Sequence, residues 1–138
     1  EIGSGLVGSE MCIRDRAVRL PESYWLSFTV PGIESVIAEK MGERVDLMDV
    51  VEKGNRQMHG IDRYVDLITS GETIRISSKE AFLLNVGEAQ GLNYSTNYPD
   101  KRKGAHFNLN NNLWGTNFSM WNEGSLTYHF VIETLNRK

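Results

Sequence analysis

The segment HFNLNNNLWGTNFSMW, residues 106–121, gathers five asparagines, one of the three histidines and two of the three tryptophans. An amide side chain carries both donors and an acceptor, and an indole face is an apolar platform. Side by side they suit a polyhydroxylated ligand: amides bond the hydroxyls while a ring stacks on the apolar C–H face of a sugar. An apolar floor with a few placed polar groups is the general form of a small-ligand site. The candidate substrate-binding residues are therefore His106, Asn108, Asn112, Trp114, Asn117 and Trp121. The same residue types fit a second role. Asparagine suits tight turns by bonding its own backbone, and a buried amide network can fix a loop with no ligand involved. On that view Phe107, Leu109, Leu113 and Phe118 face a core. Asparagine is a poor strand former, so the clustering asks for a reason, but both roles stay open at this level.

Elsewhere the chain is sparing with chemistry. His59, His106 and His129 stand at no zinc-ligand spacing to another His, Cys or acid, so no metal site is expected. His106 opens the asparagine run and is the histidine placed for ligand contact. His59, between Met58 and Gly60, reads as a structural histidine, and His129 reads as solvent-facing. No catalytic residue stands out. The carboxylates Asp46, Asp49, Asp62 and Asp66 are scattered, and a glycosidase pair must straddle a sugar at a few ångströms, which spacing along strands does not establish. Phosphate-loop, dinucleotide and nucleophile-elbow motifs are absent. The formal net charge is −3, too balanced for a nucleic-acid footprint, and Lys101-Arg102-Lys103 reads as a solvated turn. No apolar run approaches the ~20 residues of a membrane-spanning helix. Neither nucleic acid nor membrane is an expected partner.

The elements that must position the asparagine run read as β throughout. Ser23–Val30 is aromatic and β-branched and stops at Pro31-Gly32. Further strands are expected at Ser35–Met41, Val45–Val51, Gln57–Ile61, Tyr64–Ile68, Thr73–Ser78, Ala81–Val86 and His106–Leu109. A last strand is expected at Ser125–Leu135, where Leu126, Tyr128, Phe130 and Ile132 alternate with Thr127, His129, Val131 and Glu133. A helix over 34–51 is the rival there, because Glu, Lys, Met and Ala favour it. Many short strands with frequent turn signals predict an all-β fold, an antiparallel β-sandwich spanning 17–138.

Residues 1–16 have a different texture. EIGSGLVGSEMCIRDR resembles the translation of a transposase-based sequencing adapter: CTC GTG GGC TCG GAG ATG TGT ATA AGA GAC encodes Leu6 through Asp15. The resemblance implies a non-native leader, expected to be disordered, on a fragment of a longer protein. Cys12 is the only cysteine, so the remaining chain offers neither disulfides nor Cys-ligated metals.

Within 17–138, LPESYWLSF, VVEKGNRQMHGI and HFNLNNNLWGTNFSMW together resemble the C-terminal part of a family of large uncharacterised proteins, DUF5054, related to the family 38 glycoside hydrolases, the α-mannosidases. Members close with a segment like F-N-L-Y-N-N-x-W-G-T-N-F-P-M-W. This chain has Asn110 where the family has Tyr and Ser119 where it has Pro, and it keeps Trp114 through Phe118. The resemblance implies a C-terminal β-sandwich that supports a catalytic barrel and lines its sugar site. The nucleophilic aspartate and a divalent metal would belong to that barrel, which this chain lacks. No catalytic residue and no cofactor is thereby implied in this fragment, and the expected partners are carbohydrate and the upstream catalytic domain. A stand-alone carbohydrate-binding module and a purely structural sandwich are the alternatives.

Overall fold

The computed structural model describes residues 5–14, 20–91, 94–112 and 123–136. Among them are ten strands and no α-helix. In chain order they are β1 (Gly5–Arg14), β2 (Ser23–Phe28), β3 (Ser35–Lys40), β4 (Glu43–Asp46) and β5 (Met58–Gly60). These are followed by β6 (Tyr64–Ile68), β7 (Glu72–Ser77), β8 (Leu83–Val86), β9 (Ala105–Asn111) and β10 (Gly124–Asn136). The strands form two antiparallel sheets, ordered β1-β10-β7-β6-β3-β4 and β2-β9-β8-β5. The expected antiparallel β-sandwich is the fold.

Local chemistry sets most strand ends. β3 turns into β4 through Met41 and Gly42, at φ 53° and 83°, the paired left-handed geometry of a two-residue hairpin that matches strand twist. The strand expected to continue through Val51 instead ends at Asp46. There the Asp46 carboxylate accepts from the Met48 N–H at 2.8 Å and its carbonyl accepts from the Asp49 N–H at 3.0 Å. This side-chain turn competes successfully with the sheet ladder. The helix rival over 34–51 is not formed.

The inner faces meet in one core. Phe28, Phe107 and Phe130 come from β2, β9 and β10 and so join the two sheets. Phe107 lies 5.8 Å from Phe28 at 90° and 5.2 Å from Phe130 at 73°, edge-to-face contacts that add to simple burial. Val36, Ala38, Val65, Leu67, Ile76, Leu84 and Val86 complete the fully buried layer. On the opposite face of the larger sheet, buried Asp66 accepts from Arg75 Nε at 2.7 Å and from Arg44 at 2.9 Å. Arg75 also lies 3.8 Å above the Tyr64 ring, and buried Glu39 is held by Arg63 at 2.7 Å. Buried carboxylates are tolerated only when paired in this way.

Two features of β10 differ from the sequence expectation. Its thirteen residues outrun β7, which pairs only with Val131–Asn136. Leu126, expected to be buried, is therefore 41% exposed, while Tyr128 and Phe130 are buried. Its other edge is paired with β1 from Gly5↔Glu133 to Arg14↔Gly124. The disorder expected of residues 1–16 thus does not hold for 5–14. A free strand edge offers unpaired N–H and C=O groups that an extended chain can satisfy through its own backbone, with little demand on side chains.

Candidate functional site

β9 carries the asparagine run into the four-stranded sheet. Its alternation sends Ala105 and Phe107 into the core and His106 and Asn108 to the other face. His106 stands opposite Ser27 of β2 and Asn85 of β8. All three of His106, Asn108 and Asn85 are nevertheless buried. The segment after β8 folds back over this face: Asn85 Nδ2 donates to the Gln90 carbonyl at 2.6 Å and to the Glu88 carbonyl at 3.2 Å.

The register then slips. Trp25 faces Asn108, but Tyr24 faces Asn110, leaving Leu109 as the extra residue. Such a bulge bends the strand and re-aims the side chains that follow. Beyond it, Asn111 Nδ2 reaches back to donate to Asn108 Oδ1 at 2.8 Å. That bond uses one donor and one acceptor of the pair. The other two atoms, Asn108 Nδ2 and Asn111 Oδ1, are buried with no hydrogen-bond partner among the described residues. Asn108 itself is only 8% exposed. An orphaned buried polar atom costs about 1–3 kcal/mol, so this arrangement is expensive unless something else completes it.

Asn108 and Asn111 border a groove of about 290 Å³ together with Leu109 and Asn110. Glu80, Phe82, Leu83 and Tyr128 form the rest of its lining. Phe82 is 64% exposed, an accessible aromatic ring. Tyr128 is buried and fixed by donating its hydroxyl to the Leu109 carbonyl. The described residues along the groove thus carry an unpaired amide donor and acceptor buried beneath its surface, an exposed aromatic ring and one carboxylate. Its residue types suit a small hydroxylated molecule.

Of the six residues singled out by sequence, one borders this groove. Asn108 does so with its amide N–H₂ unused. His106 lies on the same strand face, with Nδ1 2.8 Å from Ser27 Oγ. Burial pushes its pKa down, against the opposing influence of the Gly87 backbone and the Glu88 charge. Asn112 is a clamp rather than a groove residue: Oδ1 accepts from the Glu22 N–H at 2.6 Å and Nδ2 donates to the Leu20 carbonyl at 2.9 Å. Trp114, Asn117 and Trp121 lie outside the described residues. The sequence reading missed Glu80, Phe82, Leu83 and Tyr128, because tertiary packing rather than spacing brings them to β9. Asn111 was visible as part of the asparagine run, but only the bulge shows that it pairs with Asn108.

The other histidines follow expectation. His59 is buried, with Nε2 3.0 Å from the Arg56 carbonyl, and burial lowers its pKa to about 4. His129 is exposed and pairs with Glu80 at 3.2 Å. The basic run is compensated: Arg102 pairs with Asp100 at 2.8 Å and Lys103 with Glu88.

A larger groove, about 640 Å³, crosses the outer face of β6, β7 and β10 past Tyr64, Arg75, Lys79 and Glu133. Its two arginines, Arg63 and Arg75, are committed to Glu39 and Asp66. Among the described residues that line it none has an orphaned polar atom, so the smaller groove is the better candidate. Among the described residues no three His, Cys, Asp or Glu side chains gather as a metal site. Comparisons with protein families, with curated proteins and with solved structures find no match to this chain.

Proposed function

We propose that this β-sandwich is the carbohydrate-contacting C-terminal domain of a larger glycosidase-like protein related to the family 38 glycoside hydrolases, and that the Asn108–Asn111 groove touches the sugar. One observation carries this reading: Asn108 Nδ2 and Asn111 Oδ1 are a buried donor and acceptor without partners among the described residues, on two residues that line a groove with an exposed phenylalanine. A sugar hydroxyl is both donor and acceptor and completes either atom. The Phe82 ring supplies the apolar surface that a pyranose face requires. The all-β architecture agrees with the terminal domain that the resemblance implies. Chemistry is assigned to the absent barrel, and this domain contributes contacts only.

Calorimetric titration of the 138-residue chain with methyl α-mannopyranoside and a panel of neutral mono- and disaccharides tests the reading. Binding that weakens at least about tenfold in Asn108→Ala, roughly 1.4 kcal/mol, supports it. A folded protein that takes up no sugar at millimolar concentration returns the domain to a purely structural role.

A further inference from the structure

We propose that Glu80 makes the Asn108–Asn111 groove a charge filter, admitting neutral sugars and rejecting acidic ones; this rests on the carbohydrate reading above. Glu80 is the only charged residue among the described residues that line the groove. Its carboxylate is tethered from β10, where Oε2 accepts from the His129 N–H and Oε1 lies against His129 Nδ1, each at 3.2 Å. The backbone N–H contact is the main reason its carboxyl ionises below the ordinary range, so the charge is present at neutral pH.

Among the described residues the lining of this groove holds no cation, although Glu80 also borders the larger groove. Lys79 lines the larger groove, not this one. Arg63 and Arg75 also lie there and are held by Glu39 and Asp66. Ser78 Oγ, at 3.4 Å from Oε2, is neutral and at the limit of a hydrogen bond. A sugar carboxylate seated on the amide pair would share a small groove with a fixed like charge. Like-charge juxtaposition acts chiefly on specificity, and its strength rises as water is displaced.

The test is the affinity ratio between methyl α-mannopyranoside and methyl α-mannopyranosiduronate, measured by calorimetry at pH 7.5 and low salt. The expected ratio is at least about tenfold in favour of the neutral sugar. Raising the salt to about 1 M should narrow that ratio, because screening at that strength reaches only ~3 Å. Glu80→Gln keeps an acceptor for the His129 N–H and should bring the ratio close to one. Equal binding of the two sugars by the wild-type chain, or a ratio untouched by salt and by Glu80→Gln, overturns the filter while leaving the carbohydrate site in place. Failure of the wild-type chain to bind either sugar overturns both.

Discussion

Asn108→Leu should be the rare core-edge substitution that does not destabilise. The wild-type amide gives the fold one hydrogen bond, from Asn111 at 2.8 Å, and leaves its Nδ2 buried and unpaired. Removing that orphan recovers about 1–3 kcal/mol, while losing the single bond costs about 1 kcal/mol. The released Asn111 amide is half-buried and can turn toward water, which keeps its own penalty small. The net expectation is a change between zero and about 2 kcal/mol in favour of the variant. Asn112→Leu is the control. It breaks two satisfied bonds, to Glu22 and Leu20, and should cost about 2–3 kcal/mol. Urea denaturation of both variants at constant m-value measures the difference directly. The pattern expected of a site held open for a ligand is stability retained and sugar binding lost. An Asn108→Leu variant as unstable as Asn112→Leu would refute the reasoning, because its amide would then have a partner within the folded chain.

Three further outcomes follow from the fold. His59 is neutral in the folded state, with its pKa lowered to about 4 from ~6.5 in the unfolded chain. Its folded pKa is depressed, so its contribution is intact above pH ~6.5 and is lost as pH falls toward 4, by at most roughly 3 kcal/mol; flattening of that loss in His59→Gln, followed by thermal melts across this window, checks it. Gly104 has φ 105° and a Cβ there would overlap the Phe28 carbonyl oxygen, so Gly104→Ala should cost about 3 kcal/mol or more by strain and steric displacement, read from the urea midpoint. Deleting residues 1–16 should leave a cooperative β-sheet transition, because β10 keeps its pairing with β7 over Val131–Asn136; a chain that no longer unfolds cooperatively would make β1 part of the fold's foundation.

Much of this architecture was legible in the residues because burial on one face of a strand leaves a period of two. Alternation puts Leu126, Tyr128, Phe130 and Ile132 on one face of the last strand, where Tyr128 and Phe130 are buried and Ile132 half-buried, but Leu126 is exposed, since alternation cannot reveal where a neighbouring strand stops. Val45–Val51 read as one strand because its composition is apolar, yet the Asp46 carboxylate diverts the chain after its first residues. The asparagine run was legible as unusual but not as a site. Its meaning depends on a bulge at Leu109 and on a groove wall supplied by Glu80, Phe82 and Tyr128. Phe82 belongs to an apolar run whose other members are buried or half-buried, so nothing in its neighbours announces an exposed ring. Buried polar residues on the non-core face, Asn85 and His106 among them, were hidden for a similar reason. They are covered by the turn after β8, a contact that strand periodicity does not encode.

The proposed role of Asn108 Nδ2, a buried donor left for a hydroxylated ligand, is tested most directly by the ¹⁵N–¹H resonance pair of the Asn108 side-chain amide during titration with methyl α-mannopyranoside, assigned by its loss in Asn108→Leu. Saturable shifts confined to Asn108, Asn111 and the groove around Phe82, with the Asn112 amide unmoved, are expected. Asn108 and Asn111 amides that stay fixed while the chain remains folded and sugar is in large excess would contradict that role.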